Sequence, residues 1–158
     1  MAGPLPFSTV SVAGSADADG ENLAFARRLG FLLASSGYTI VCGGGPGVME
    51  EACRGAHDAG GLTVGILPGT DPSEGNPFLD IVLPTGLGFG RNRAVALAGS
   101  CLVAVGGANG TLSEIAYALQ AGRPVCCHGT WTCIPGVASA ATPEEAFSFV
   151  EECGRRQP

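Results

Sequence analysis

This sequence contains no lysine; its eight basic residues are all arginine. The absence removes whole mechanisms: no Walker-A lysine for a nucleoside triphosphate, and no Schiff-base lysine for pyridoxal phosphate. Basic charge is scarce overall. Fourteen acidic residues leave a net charge of −6, and the pI is about 4.7, which argues against a nucleic-acid backbone as partner. No apolar run approaches the roughly 18 residues of a membrane span. Met1 to Val12 has neither the basic flank nor the long apolar core of a signal peptide. No Cx2C pair occurs, and the seven cysteines are an odd number. Most sit inside apolar runs, as Cys42, Cys101, Cys126 and Cys127 do. Reduced, buried thiols in a cytoplasmic protein are therefore expected, not a disulfide framework.

What the chain does have is apolar content, 46% of 158 residues, and a mean hydropathy of +0.31. That length fits one domain over residues 1–158. Glycine is abundant, at 26 residues, so many tight turns are expected. Short apolar runs alternate with segments of helical periodicity. Strands are expected at Phe7–Ala13, Tyr38–Cys42, Leu62–Leu67, Leu79–Leu83, Cys101–Val105 and Val125–Cys127, with another around Ile134–Val137. Helices are expected at about Glu21–Ser36, after Gly47 to Ala59, from Arg91 through Ala98, and over Leu112–Gln120. A last helix opens at Thr142-Pro143-Glu144-Glu145 and ends near Cys153-Gly154, with fraying beyond. Asp17, Asp19 or Asn22 caps the first helix, and Gly37 stops it. Pro68 to Pro77 reads as a surface loop. Such alternation implies an α/β fold: a doubly wound, mostly parallel sheet with helices on both faces.

In such sheets a ligand sits beyond the carboxyl ends of the strands, where strand order reverses. Three turns should meet there: Gly14-Ser15, Gly43-Gly44-Gly45-Pro46-Gly47, and Gly106-Gly107-Ala108-Asn109-Gly110-Thr111. The last follows the buried run Cys101–Val105 and opens a helix. Its free backbone N–H groups and the positive end of the helix dipole suit a phosphate. A reading without ligand also exists, because Thr111-Leu112-Ser113-Glu114 has the form of a capping box. The first turn lacks GxGxxG, and no acid stands at the distance of a ribose contact, so a standard NAD site is not expected. Arg91 opens a helix, against the dipole, which suggests an anion nearby. Arg93 faces elsewhere, and Met49 is expected in the core. A zinc site at Cys126-Cys127-His128 with Cys133 is not expected, since adjacent strand residues point to opposite faces. His57 reads as a solvated polar residue.

Gly43-Gly44-Gly45-Pro46-Gly47-Val48-Met49-Glu50, Gly60-Gly61, Val64 to Pro68, Arg91-Asn92 and Gly106 to Glu114 stand in the order and spacing of a known group. The chain resembles the Lonely Guy (LOG)-like Rossmann-type proteins, long mislabelled lysine decarboxylases. Within them it is most similar to the short molybdenum-cofactor carrier branch, over roughly residues 7 to 150. The resemblance implies a Rossmann-like fold, a phosphorylated nucleotide-like ligand such as molybdenum cofactor, and a homodimer or homotetramer. No required cofactor is expected; molybdenum cofactor or a nucleotide is the expected bound ligand. Topology and motif together give the expected ligand-binding positions: Gly14 and Ser15 from the first turn, and Gly43, Gly44, Gly45, Gly47, Arg91, Asn92, Gly106, Gly107, Ala108, Asn109, Gly110 and Thr111 from the segments that carry the resemblance. Enzymes of the group release base and ribose 5-phosphate from nucleoside 5′-monophosphates, and Glu114 and Arg91 fall on their catalytic pair. Gly106, Ala108 and Asn92 depart from the enzyme pattern, where Pro, Gly and Lys stand. Two functions follow from the resemblance, a cofactor carrier and a phosphoribohydrolase; a third possibility is a fold that acts only in assembly. Decarboxylation of lysine is not expected.

Overall fold

The structure is a computed structural model that describes residues 9–156. Seven strands form one parallel sheet in the order β4-β3-β2-β1-β5-β6-β7. They are β1 (Thr9–Gly14), β2 (Thr39–Cys42), β3 (Thr63–Leu67), β4 (Ile81–Pro84), β5 (Leu102–Val105), β6 (Val125–His128) and β7 (Val137–Ser139). The helices are α1 (Gly20–Ser35), α2 (Val48–Asp58), α3 (Arg91–Ala98), α4 (Asn109–Gln120) and α5 (Pro143–Arg156). The expected α/β architecture is therefore observed. Phe7 and Ser8, expected to begin the first strand, lie outside the described residues, as do Gln157 and Pro158.

Strand residues alternate between two cores, which is why the central runs are almost wholly apolar, with the buried Ser11 of β1 an exception. Val10, Val12, Ile40, Val103 and Val105 meet Leu29 and Leu33 of α1, Val48 and Ala52 of α2, and Val150 of α5. On the other face Leu102 and Ala104 meet Ala96 of α3 with Ile115 and Ala118 of α4. Each fully buried Leu or Val contributes about 1.5–3 kcal/mol relative to exposure. Cys126 joins the first core and Cys127 the second, as strand alternation demands. Helices α1 and α2 cross closely because Gly30 lies against the backbone carbonyl of Ala52, and Gly55 against that of Arg27.

Asp19 caps α1, its Oδ1 accepting the Asn22 N–H at 2.8 Å. Helix α5 runs past Gly154 to Arg156, beyond the expected end, with Arg155 and Arg156 complementing the dipole in its last turn. The seventh strand lies at Val137–Ser139, not around Ile134, whose N–H instead closes a turn on the Trp131 carbonyl. No helix among the described residues is long and apolar enough to cross a membrane.

Strand order reverses at β1: β2 lies on one side and β5 on the other. Gly14 and Val105 are register partners at the ends of these strands. The crevice expected of a doubly wound sheet opens there.

Candidate functional site

Beyond the ends of β1 and β5 is a cleft of about 210 Å³. Gly14, Ser15, Arg91, Asn92, Ala108, Gly110, Thr111 and Glu114 line it, together with Ala16, Met49 and Phe89. Residues from four chain segments, far apart in sequence, thus meet at the reversal of strand order.

The turn after β5 sets one wall. Gly106 and Gly107 have φ of 61° and 96°, a region a side chain rarely adopts. They swing the chain so that α4 starts at Asn109, with Ala108 at the N-cap and no side chain capping it. Leu112 N–H makes the first helical bond, to the Ala108 carbonyl at 3.0 Å. The capping box is therefore overturned: the helix begins earlier than Thr111-Leu112-Ser113-Glu114 suggests. Thr111 sits inside the first turn, and Glu114 does not reach back as a cap. The opening amides of α4, with Ala108, Asn109 and Gly110 exposed, are left for an external acceptor.

Arg91 and Asn92 form the facing wall. The short turn Gly88–Gly90 leads directly into α3, so Arg91 is its first residue. Its side chain is 15% exposed, and Nη1 stands 3.9 Å from Oε1 of Glu114. Nη1 donates to Oδ1 of Asn92, while Nε is buried with no partner. Asn92 Nδ2 donates to Ser113 Oγ at 3.0 Å, and that hydroxyl donates to the Gly110 carbonyl at 2.6 Å. This chain of bonds fixes the guanidinium relative to the start of α4. Glu114 is 6% exposed. Burial pushes its carboxyl up to about 7, with the Arg91 charge opposing that rise.

The Gly43–Gly47 turn stands behind the cleft and does not line it. A Cβ on Gly43 would lie 2.8 Å from Nη2 of Arg91, so this glycine leaves the space the guanidinium occupies. Gly44 packs on Leu67 and Gly45 on the end of Met49. Gly47 lies against the backbone of Ser15 and Ala16, where Val48 N–H bonds the Ser15 carbonyl at 3.0 Å. Asn76 braces the turn, its N–H and Nδ2 donating to the carbonyls of Gly44 and Gly45 at 2.8 and 3.1 Å. Within the third turn, Gly106, Gly107 and Asn109 shape the helix start but likewise do not line the cleft. Ser15 lines it, although its hydroxyl donates to the Asp17 carbonyl at 2.8 Å.

Met49 lines the cleft and is only half-buried, contrary to the expected core position. Its place in the first turn of α2, whose N-terminus points to the strand-end edge of the sheet, is the available signal. Phe89 is 89% exposed and carried no periodic signal between Gly88 and Gly90. Ala16 follows the first turn by one residue. His57 is exposed, as expected.

The strand order and the cleft define the class: a Rossmann-like α/β protein with a cleft of mixed polar and apolar lining at its topological switch point. The chain belongs to the SLOG cluster 4 family, whose model it matches over residues 8–152. It is 39% identical over 140 residues to a protein of Archaeoglobus fulgidus, spanning 89% of this chain and 92% of that one. The structure is similar to the molybdenum cofactor binding protein of Rippkaea orientalis, with a TM-score of 0.88 and 33% identity over 92% of this chain and 96% of that chain. It is also similar to the molybdenum cofactor carrier protein of Chlamydomonas reinhardtii, at a TM-score of 0.86 and 37% identity over 95% and 99% of the two chains. The carrier branch that the sequence resembles is thus the one its structure resembles.

Proposed function

We propose that this protein binds molybdenum cofactor and acts as its carrier. The observation that carries the reading is the uncapped start of α4 facing the largely buried guanidinium of Arg91 across one cleft. Free amides and a planar cation together recognise a phosphate, the amides through the helix dipole and the arginine through paired bonds. The residues fit the phosphate end of such a cofactor, since Arg91 has a buried N–H without a partner. Likeness to the two molybdenum cofactor proteins supports the choice of ligand. Gly110, Thr111 and Arg91 would hold the phosphate; Met49 and Phe89 would flank the remainder.

Hydrolysis of nucleoside 5′-monophosphates has less support. Glu114 is the one carboxylate lining the cleft among the described residues, and glycosidic cleavage usually employs two. Self-association as a homodimer or homotetramer belongs to the same proposal and is supported by the exposed side chains of Ile81, Leu83, Leu87 and Phe89.

The test is retention. Purified protein is mixed with molybdenum cofactor released from a molybdoenzyme, or with AMP, and passed through a sizing column. Co-elution of the pterin with the protein at micromolar concentration, with AMP left intact, is expected. Absence of retained pterin would overturn the carrier reading, and adenine release would favour the hydrolase.

A further inference from the structure

We infer that Glu114 makes anion binding in this cleft proton-linked: the cleft takes a doubly charged anion at full affinity only when this carboxyl carries a proton. The inference rests on reading the cleft as an anion site.

Glu114 lies in the same cleft as Arg91 and is nearly as buried as the core around it. At 3.9 Å its carboxylate is too far from the guanidinium for a hydrogen bond. No other hydrogen-bond donor among the described residues reaches it. The charged group facing it is Arg91 on α3; the other ionisable group within electrostatic reach is the buried Cys42 thiol at the end of β2. The remaining lining side chains, among them Ser15, Met49, Asn92 and Thr111, carry no charge.

A buried carboxylate without hydrogen bonds is costly. It is tolerated while Arg91 faces it. An anion seated on Arg91 and the start of α4 takes up that positive charge and adds a like charge nearby. Both changes disfavour ionised Glu114. One proton resolves the conflict, and it turns the carboxyl from a repelling neighbour into an O–H donor for the bound anion. Burial, even with the Arg91 charge opposing it, already pushes Glu114 up to about 7, so the linkage falls in the neutral range. The ionised form discriminates against dianions, and the protonated form admits them.

Calorimetric titration tests this with sulfate, whose charge stays constant between about pH 5.5 and 8.5, and with AMP as a second probe. For the unmodified protein the sulfate Kd should be level below neutrality and weaken by up to about tenfold per pH unit above it. Titrations near pH 8 in two buffers of different protonation heat should show net proton uptake approaching one per site. In Glu114→Gln the Kd should be independent of pH and close to the low-pH value of the parent, with unchanged circular dichroism. A pH-independent Kd in the parent, or a slope that persists in Glu114→Gln, would overturn the proton linkage alone. Failure of both probes to bind at any pH would overturn the anion site, and the linkage with it.

Discussion

Arg91 and Glu114 face each other at 3.9 Å across the switch-point cleft, one from the first turn of α3 and one from the second turn of α4. Neither is satisfied by the other. Arg91 keeps a buried N–H without a partner, and Glu114 is held near neutrality by burial. A protein selected only for stability would fill such a place with apolar side chains. The arrangement instead fits the proposed anion site.

Removing the cation should therefore cost affinity and spare the fold. Arg91→Ala is expected to weaken binding of AMP or sulfate by about 2 kcal/mol or more, the loss of a charge-assisted pair of bonds. Arg91→Lys should recover only part of it, because an ammonium lacks the planar fork. Equilibrium titration of the variants checks both.

Removing the carboxylate should stabilise the free protein. The folded state holds the Glu114 proton up to about pH 7, while the unfolded chain releases it near the ordinary carboxyl value of 4.5. The folded state thus binds more protons between these values, and stability falls as pH rises through that window. The contribution lost by pH 8 is of order 3 kcal/mol. Glu114→Gln should melt higher than the parent at pH 8, and the difference should shrink as pH falls towards 4.5. Thermal melts across that range decide it; a constant difference would show that Glu114 is not the titrating group.

Gly43 tests the wall behind the site. Gly43→Ala places a methyl group 2.8 Å from Arg91 Nη2, so the guanidinium must move. Weaker anion binding is expected with a melting temperature close to the parent. Unchanged affinity would show that the position of Arg91 does not depend on this glycine.

Gly55 tests the scaffold. Its neighbour is the backbone carbonyl of Arg27 on α1, which cannot step aside as a side chain can. Gly55→Ala gains about 1 kcal/mol in helix propensity but forces α1 and α2 apart. A net loss of about 2 kcal/mol is expected, read as a lower midpoint in urea.

Much of this architecture was legible because buried parallel strands are short apolar runs and their helices are amphipathic. The three glycine-bearing turns could be placed at one edge from topology alone. What failed were distinctions that need the third dimension. Thr111-Leu112-Ser113-Glu114 matches a capping box, yet four residues cannot reveal that the chain turns at Gly106-Gly107 and starts its helix at Asn109. At Gly43–Gly47 the pattern marks a turn but not its neighbours: side chains there would meet Arg91, Leu67, Met49 and the Ser15–Ala16 backbone. Asn76 lay in a polar stretch read as surface loop, and only its bonds to Gly44 and Gly45 show that it braces the site. Phe89 stands alone between glycines, where periodicity is silent.

We propose that the start of α4 and Arg91 hold the phosphate of molybdenum cofactor. A crystal structure of the protein soaked with the cofactor, phased with the anomalous signal of molybdenum, tests it most directly. Density is expected in the cleft, with the phosphate bonded to the opening amides of α4 and to the Arg91 guanidinium. Cofactor seated elsewhere on the molecule, or a phosphate turned away from Arg91 towards solvent, would contradict it.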